Sequence, residues 1–232
     1  MGKKTLGILG GMGPQATADL FQRIIDLTKA EKDQEHMDII IEDLPQIPDR
    51  IGAILGDAES PFPKLLAGAR NLERAGAEVI VMPCITAHYY WKDLRDAISV
   101  PFLNMLDVAA SASADRFGKA TAGILCSAAT NRTGLMADAL QKQGIPYLVP
   151  EEAQQQEISE IILAVKAKQP TEPLWQRMLP IIRSMQERGA AYFVLACTEL
   201  PILGRGRTEA PLIDSTSELA AAAIRACGYE TV

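Results

Sequence analysis

Cysteine and histidine are both scarce: the 232-residue chain has four of the first and two of the second. No two cysteines stand in Cys-x-x-Cys spacing. Four scattered thiols do not make a disulfide framework, and without the paired spacing a Cys/His zinc site is not expected. Basic runs are missing as well. Lys and Arg number 23 against 29 Asp and Glu, a formal charge of −6, which argues against a nucleic-acid partner. No stretch approaches the roughly 18 apolar residues of a membrane span, and the apolar run after Lys4 is too short for a secretory core. A reducing, cytoplasmic setting with no membrane contact is the expectation.

What the chain does have is aliphatic bulk. Hydrophobic residues make up 48% while aromatics supply only 5%, a balance suited to helices packed on a parallel sheet. Two stretches organise the rest. Ala77-Glu78-Val79-Ile80-Val81-Met82-Pro83-Cys84-Ile85-Thr86-Ala87-His88 is a short apolar run with a cysteine where it stops. Ala190-Ala191-Tyr192-Phe193-Val194-Leu195-Ala196-Cys197-Thr198-Glu199-Leu200-Pro201 repeats the arrangement. Short apolar runs bounded by breakers read as buried parallel strands, and in open α/β sheets the ligand crevice lies beyond their carboxyl ends. Both thiols are therefore expected where a substrate would sit.

Other segments echo one another at a similar separation. Thr5–Leu9 before Gly10-Gly11-Met12-Gly13 parallels Thr121–Leu125 before Ser127–Thr130, and Met37–Glu42 parallels Ile145–Pro150. Gly10–Gly13 has neither GxGxxG spacing nor a Lys-Ser/Thr ending, so it reads as a tight strand-to-helix turn, not a nucleotide cradle. Helices are predicted from Ala16 to about Ala30, Pro63 to Gly76, Asn131 to Gln143, Ile158 to Ala167 and Pro173 to Gly189. The predicted fold is α/β: two similar doubly wound half-domains with parallel sheets, related by internal duplication, with the active site between them. The first is expected to take residues 1–101 and 211–232, the second residues 102–210.

Two thiols at matched strand mouths limit the chemistry. A single nucleophile needs one cysteine, whereas moving a proton from one face of a carbon to the other needs two bases of similar strength. Arg50 lies on the proline-punctuated loop Asp43–Arg50, where its planar fork could clamp a carboxylate inside an otherwise acidic protein.

Leu9-Gly10-Gly11-Met12-Gly13-Pro14-Gln15-Ala16-Thr17, Met82-Pro83-Cys84-Ile85-Thr86-Ala87-His88 and Ala196-Cys197-Thr198-Glu199-Leu200-Pro201 together resemble the aspartate/glutamate racemase family, which works without pyridoxal phosphate. The resemblance covers essentially the whole chain. It implies a cofactor-independent amino-acid racemase, commonly a homodimer, that interconverts L- and D-aspartate. Cys84 and Cys197 would be the two bases, with Cys197 facing the L-enantiomer and Cys84 the D-enantiomer. Arg50 would take the distal carboxylate, Lys166 would serve the same site, and Met12, Ile85, Thr86, Thr130 and Thr198 would line the amino-acid pocket. Asp49, Glu199 and His88 would support the thiols and the substrate ammonium.

The chain departs from the family's pattern at three points. Ile85 stands where asparagine is usual, Ala128-Ala129-Thr130 replaces a glycine-threonine turn, and Ala196 stands where glycine usually precedes the second cysteine. Losing the amide at position 85 leaves three alternatives to aspartate racemisation open: a racemase for glutamate or another amino acid, a weakly active enzyme, or a non-catalytic ligand-binding homologue. A malonate-type decarboxylase, which needs one thiol, and a redox sensor are the remaining classes.

Overall fold

The computed structural model describes residues 2–56, 58–206 and 209–232. The chain divides into two compact units, Met1–Met105 with Thr216–Val232, and Leu106–Ser215. In the first, β1 (Leu6–Gly10) is followed by α1 (Pro14–Leu27), β2 (Ile39–Asp43), the short α2 (Arg50–Leu55), α3 (Phe62–Arg74), β3 (Val79–Val81) and α4 (Trp91–Asp96). Helix α5 (Met105–Phe117) begins on the last residue of the first stretch and carries the chain into the second unit, where β4 (Ala122–Cys126), α6 (Ala128–Thr133), α7 (Leu135–Lys142) and β5 (Tyr147–Leu148) follow. It continues through α8 (Glu152–Lys166), α9 (Thr171–Glu187), β6 (Tyr192–Ala196), α10 (Glu199–Gly204) and β7 (Leu212–Asp214). The closing helix α11 (Ser215–Ala226) returns the chain to the first unit.

Every strand pair inside the two sheets is parallel. The strand orders are β2-β1-β3 and β5-β4-β6-β7, so the first strand of each unit is an inner strand with its successor on one side and a later strand on the other. Chain direction across the sheet reverses beside that strand, between β1 and β3 and again between β4 and β6. Such a switch point opens a crevice at the carboxyl ends, because the loops on its two sides run apart. Central strands β1, β4 and β6 are buried at every position, the mark of a parallel strand covered on both faces. Each unit has its own apolar core. Leu9, Leu65, Leu72, Ile80 and Leu94 pack together in the first, and Ile158, Trp175, Met178, Ile182 and Phe193 in the second.

Several elements differ from the sequence reading, each for a local reason. Leu212–Asp214 pairs with β6 through Phe193, Val194 and Leu195, so this strand lies in the second sheet, not with the first half as the expected limit at 211 had it. The stretch 102–105, expected in the second half, lies in the first unit, and Phe102 bridges Ile80 of β3. β5 holds only Tyr147 and Leu148 of the expected six residues, because prolines at 146 and 150 have no N–H to give a ladder. The expected helix 131–143 is two helices that meet at Gly134, whose φ of +70° places it in the left-handed region. Arg50, expected on a loop, is the first residue of α2.

Among the described residues, no helix is long and apolar enough to cross a membrane.

Candidate active site

In the first unit the switch point is built from the turn after β1 and the turn after β3. Gly11 has φ +90°, and a Cβ there would lie 2.3 Å from the Leu44 carbonyl carbon, so only glycine lets these two backbones meet. The Gly11 N–H donates to Thr17 Oγ1 at 2.9 Å, tying the turn to α1. Met12 is buried at 2% exposure and shares the core cluster of Leu9, Ile47 and Cys84. Asp49 caps α2 by accepting the Gly52 N–H at 2.6 Å, which assigns that carboxylate a structural bond. Arg50 sends Nη1 to the carbonyls of Pro48 (3.2 Å) and Ile47 (3.4 Å). Its Nε–H is buried with no hydrogen-bond partner among the described residues. A cation in the first turn of a helix faces the wrong end of the helix dipole, so a guanidinium held there with an unused donor favours an incoming anion.

Pro83 stops β3, and the Cys84 N–H turns back to the Met82 carbonyl at 2.9 Å. Cys84 is 6% exposed, with Ile85 and Thr86 buried beside it. A 3-10 turn over Thr86–Tyr90 follows and carries His88. The His88 Nδ1 lies 2.8 Å from the Cys84 carbonyl, while Nε2 lies 3.0 Å from the Met105 N–H. A carbonyl only accepts and an N–H only donates, so Nδ1 carries the proton and Nε2 the lone pair. Burial pushes the imidazole pKa down to about 4, against the opposing pull of the backbone at Cys84 and Leu103. The ring is neutral and both its nitrogens are occupied.

In the second unit the equivalent turns follow β4 and β6. Ser127 caps α6: its Oγ accepts the Thr130 N–H at 3.3 Å and donates to Thr130 Oγ1 at 3.0 Å. Gln155 of α8 spans this turn, donating to the Cys126 carbonyl at 3.0 Å and accepting from Asn131 Nδ2 at 2.9 Å. At the end of β6, the Cys197 thiol donates to Glu199 Oε2 at 3.0 Å. The Thr198 hydroxyl donates to the same oxygen at 3.4 Å, and Lys166 Nζ, at the end of α8, lies 3.9 Å from Oε1. Cys197 and Glu199 are 8% and 6% exposed, while the Lys166 side chain is 37% exposed. Burial first, and the Glu199 carboxylate second, raise the Cys197 thiol well above its ordinary pKa, with Lys166 and the Glu199 N–H pulling the other way. Cys197 therefore rests as a thiol with its hydrogen aimed at a carboxylate.

The other two cysteines differ in kind. Burial alone lifts Cys126, the fully buried last residue of β4, to about 12; Cys227 is raised to about 11, burial again leading. None of the four cysteines is in a disulfide. Among the described residues no group of three His, Cys, Asp or Glu is placed to hold a metal.

Within the first unit the expected residues Met12, Asp49, Arg50, Cys84, Ile85, Thr86 and His88 stand on the turns after β1, β2 and β3; within the second, Thr130, Cys197, Thr198 and Glu199 stand on those after β4 and β6, with Lys166 beside Glu199. Sequence reading missed Ser127 and Gln155. The first had a signal, a serine directly before a helix; the second had none, since a glutamine on a helix 29 residues away from its partner carries no periodic mark.

A profile of the Asp/Glu/Hydantoin racemase family matches residues 9–223. The chain is 29% identical over 225 residues to the broad specificity amino-acid racemase RacX of Bacillus subtilis, covering 93% of this chain and 94% of that protein. Among solved structures it is similar to the aspartate racemase of Picrophilus torridus, with a TM-score of 0.87, 33% identity, and 99% and 96% of the two chains covered. An aspartate racemase homologue from Pyrococcus horikoshii OT3 superposes with a TM-score of 0.79 at 23% identity, over 97% of this chain and 99% of that one. With the profile spanning nearly its full length, the chain belongs to the Asp/Glu/hydantoin racemase family.

Proposed function

We propose that this protein racemises an amino acid without a cofactor, L- and D-aspartate first, by a two-base mechanism in which Cys84 and Cys197 act on opposite faces of Cα. One cysteine, as thiolate, takes the Cα proton; the other, as thiol, returns a proton to the opposite face, and the pair of protonation states is exchanged with each turnover. The observation that carries this reading is the Cys197 thiol donating to buried Glu199 beside Lys166. A thiol hydrogen-bonded to a carboxylate is stored as a proton donor, and the same carboxylate can take that proton when the thiolate is required. Arg50, with its unused Nε–H, suits the distal carboxylate of aspartate. Thr86, Thr130, Thr198 and the Met12 backbone would hold the amino-acid end, with Lys166 at the same site.

Incubating the protein with L-aspartate in deuterium oxide, with no cofactor added, tests the proposal. Conversion to D-aspartate with deuterium at Cα is the expected outcome. Full two-way turnover by either Cys84→Ala or Cys197→Ala would rule out two bases.

A second reading is favoured by Ile85, which presents a buried aliphatic side chain where the family pattern has an amide. Without that amide the site demands less of its ligand's polar groups, in keeping with the broad specificity of the Bacillus relative. A panel of L-amino acids including glutamate separates the two: similar turnover across the panel favours breadth, aspartate alone favours the first reading, and deuterium in none of them leaves a ligand-binding homologue.

A further inference from the structure

We propose that His88 is a positioning residue for the Cys84 thiol, bracing the turn that carries it against the start of α5. This deepens the reading of Cys84 as a base and rests on it. Both backbone polar groups of Cys84 are committed: its N–H to the Met82 carbonyl at 2.9 Å and its carbonyl to His88 Nδ1–H at 2.8 Å. With both fixed, the direction of the Cα–Cβ bond is fixed, and χ1 alone remains to place the sulfur.

The far side of the ring anchors this arrangement. Its Nε2 accepts the N–H of Met105, the first residue of α5 and a donor that helical bonding leaves unsatisfied. The stretch leading to Met105 is itself bound to β3, since the Ile80 N–H donates to Pro101 at 2.8 Å and the Leu103 N–H to Ile80 at 3.0 Å. Strand β3 and the segment 101–105 are thus joined at Ile80, and the imidazole joins them a second time beyond Pro83, where ladder bonding has stopped. The ring sets the distance between the thiol-bearing turn and the helix start. Having neither nitrogen free, His88 exchanges no proton with a substrate; its action passes through the Cys84 backbone. Burial holds it in the neutral form that both bonds require, with a pKa of about 4.

The test compares His88→Phe, which keeps ring volume and loses both bonds, with His88→Asn, whose side-chain amide can still donate to the Cys84 carbonyl. Racemisation is followed by circular dichroism. The alkylation rates of Cys84 and Cys197 by iodoacetamide are followed separately across pH by peptide mass spectrometry. For His88→Phe we expect kcat to fall by roughly tenfold to a hundredfold with KM changed by less than about twofold. The Cys84 alkylation profile should move while that of Cys197 stays, and His88→Asn should recover most of the Cys84 profile. An unmoved Cys84 profile in His88→Phe overturns the proposal. So does a common shift of both cysteines in both variants, the sign of a general loosening. Should His88→Phe not fold, His88→Gln carries the same comparison. If the parent protein racemises no amino acid, the racemase reading fails while the alkylation arm still decides the positioning of Cys84.

Discussion

Burial leads in raising the Cys197 thiol and the Glu199 carboxylate adds to it, and that second cause gives a prediction of definite sign. The carboxylate raises the thiol's pKa and Lys166 lowers it, so Glu199→Gln should speed alkylation of Cys197 near pH 8 and Lys166→Met should slow it. Rates equal to the parent in both variants would show that burial alone sets the thiol. His88 gives a second prediction. In the unfolded chain it titrates near 6.5, in the folded protein near 4, so between those values the unfolded state binds more protons. The stabilisation is whole above pH 6.5 and is lost as pH falls through 4, a difference on the order of 3 kcal/mol for a fully buried ring. Urea midpoints measured from pH 7.5 down to 4 should fall in the parent, and the His88 part of that fall should vanish in His88→Asn. At this scale the places of Cys84 and Cys197 just beyond β3 and β6 were legible because each apolar run stops at its cysteine. The cap by Ser127 and the span by Gln155 were not, since a hydrogen bond between distant segments leaves no trace in either one.

At the scale of elements, the turns after the central strands are set by sterics more than by polarity. Gly11→Ala would drive a methyl against the Leu44 backbone in a left-handed conformation, a substitution expected to cost about 3 kcal/mol or more and to disturb the turn after β1. Ser127→Ala removes only a cap and should cost about 1 kcal/mol with Thr130 left under-held. Thermal unfolding of the two variants orders them: a Ser127→Ala loss as large as that of Gly11→Ala would contradict this account. The alternation of strand and helix was readable from apolar runs and glycine stops, as in α3, which ends just before Gly76. Less readable were places where one residue's geometry overrides the pattern. Gly134 splits an amphipathic stretch into α6 and α7, prolines at 146 and 150 trim β5 to two residues, and Asp49 turns the end of a proline-rich loop into the cap of α2.

At the scale of the molecule, both ends of the chain belong to one unit. The Lys4 N–H donates to the Cys227 carbonyl at 3.0 Å, the Lys29 N–H to Glu230 at 2.9 Å, and the Val232 N–H to Leu27 at 3.0 Å. Truncation after Ser215 strips these bonds and helix α11 from the first unit while leaving the second its full sequence. Hydrogen exchange should then show protection lost from β1, β2 and β3 and kept in β4 and β6; equal loss in both sheets would mean that the units do not stand apart energetically. The boundary near 215 escaped the sequence because Leu212-Ile213-Asp214 is equally apolar in either sheet, and only its pairing with β6 tells which one takes it. The same closure of the ends has a consequence for synthesis. Residues 106–215 are all synthesised before 216–232, so the inserted half has its full sequence while the half bearing Arg50 and Cys84 still lacks helix α11. A chain truncated after residue 215 should therefore resist protease across β4 to β7 and be cut within β1 to β3.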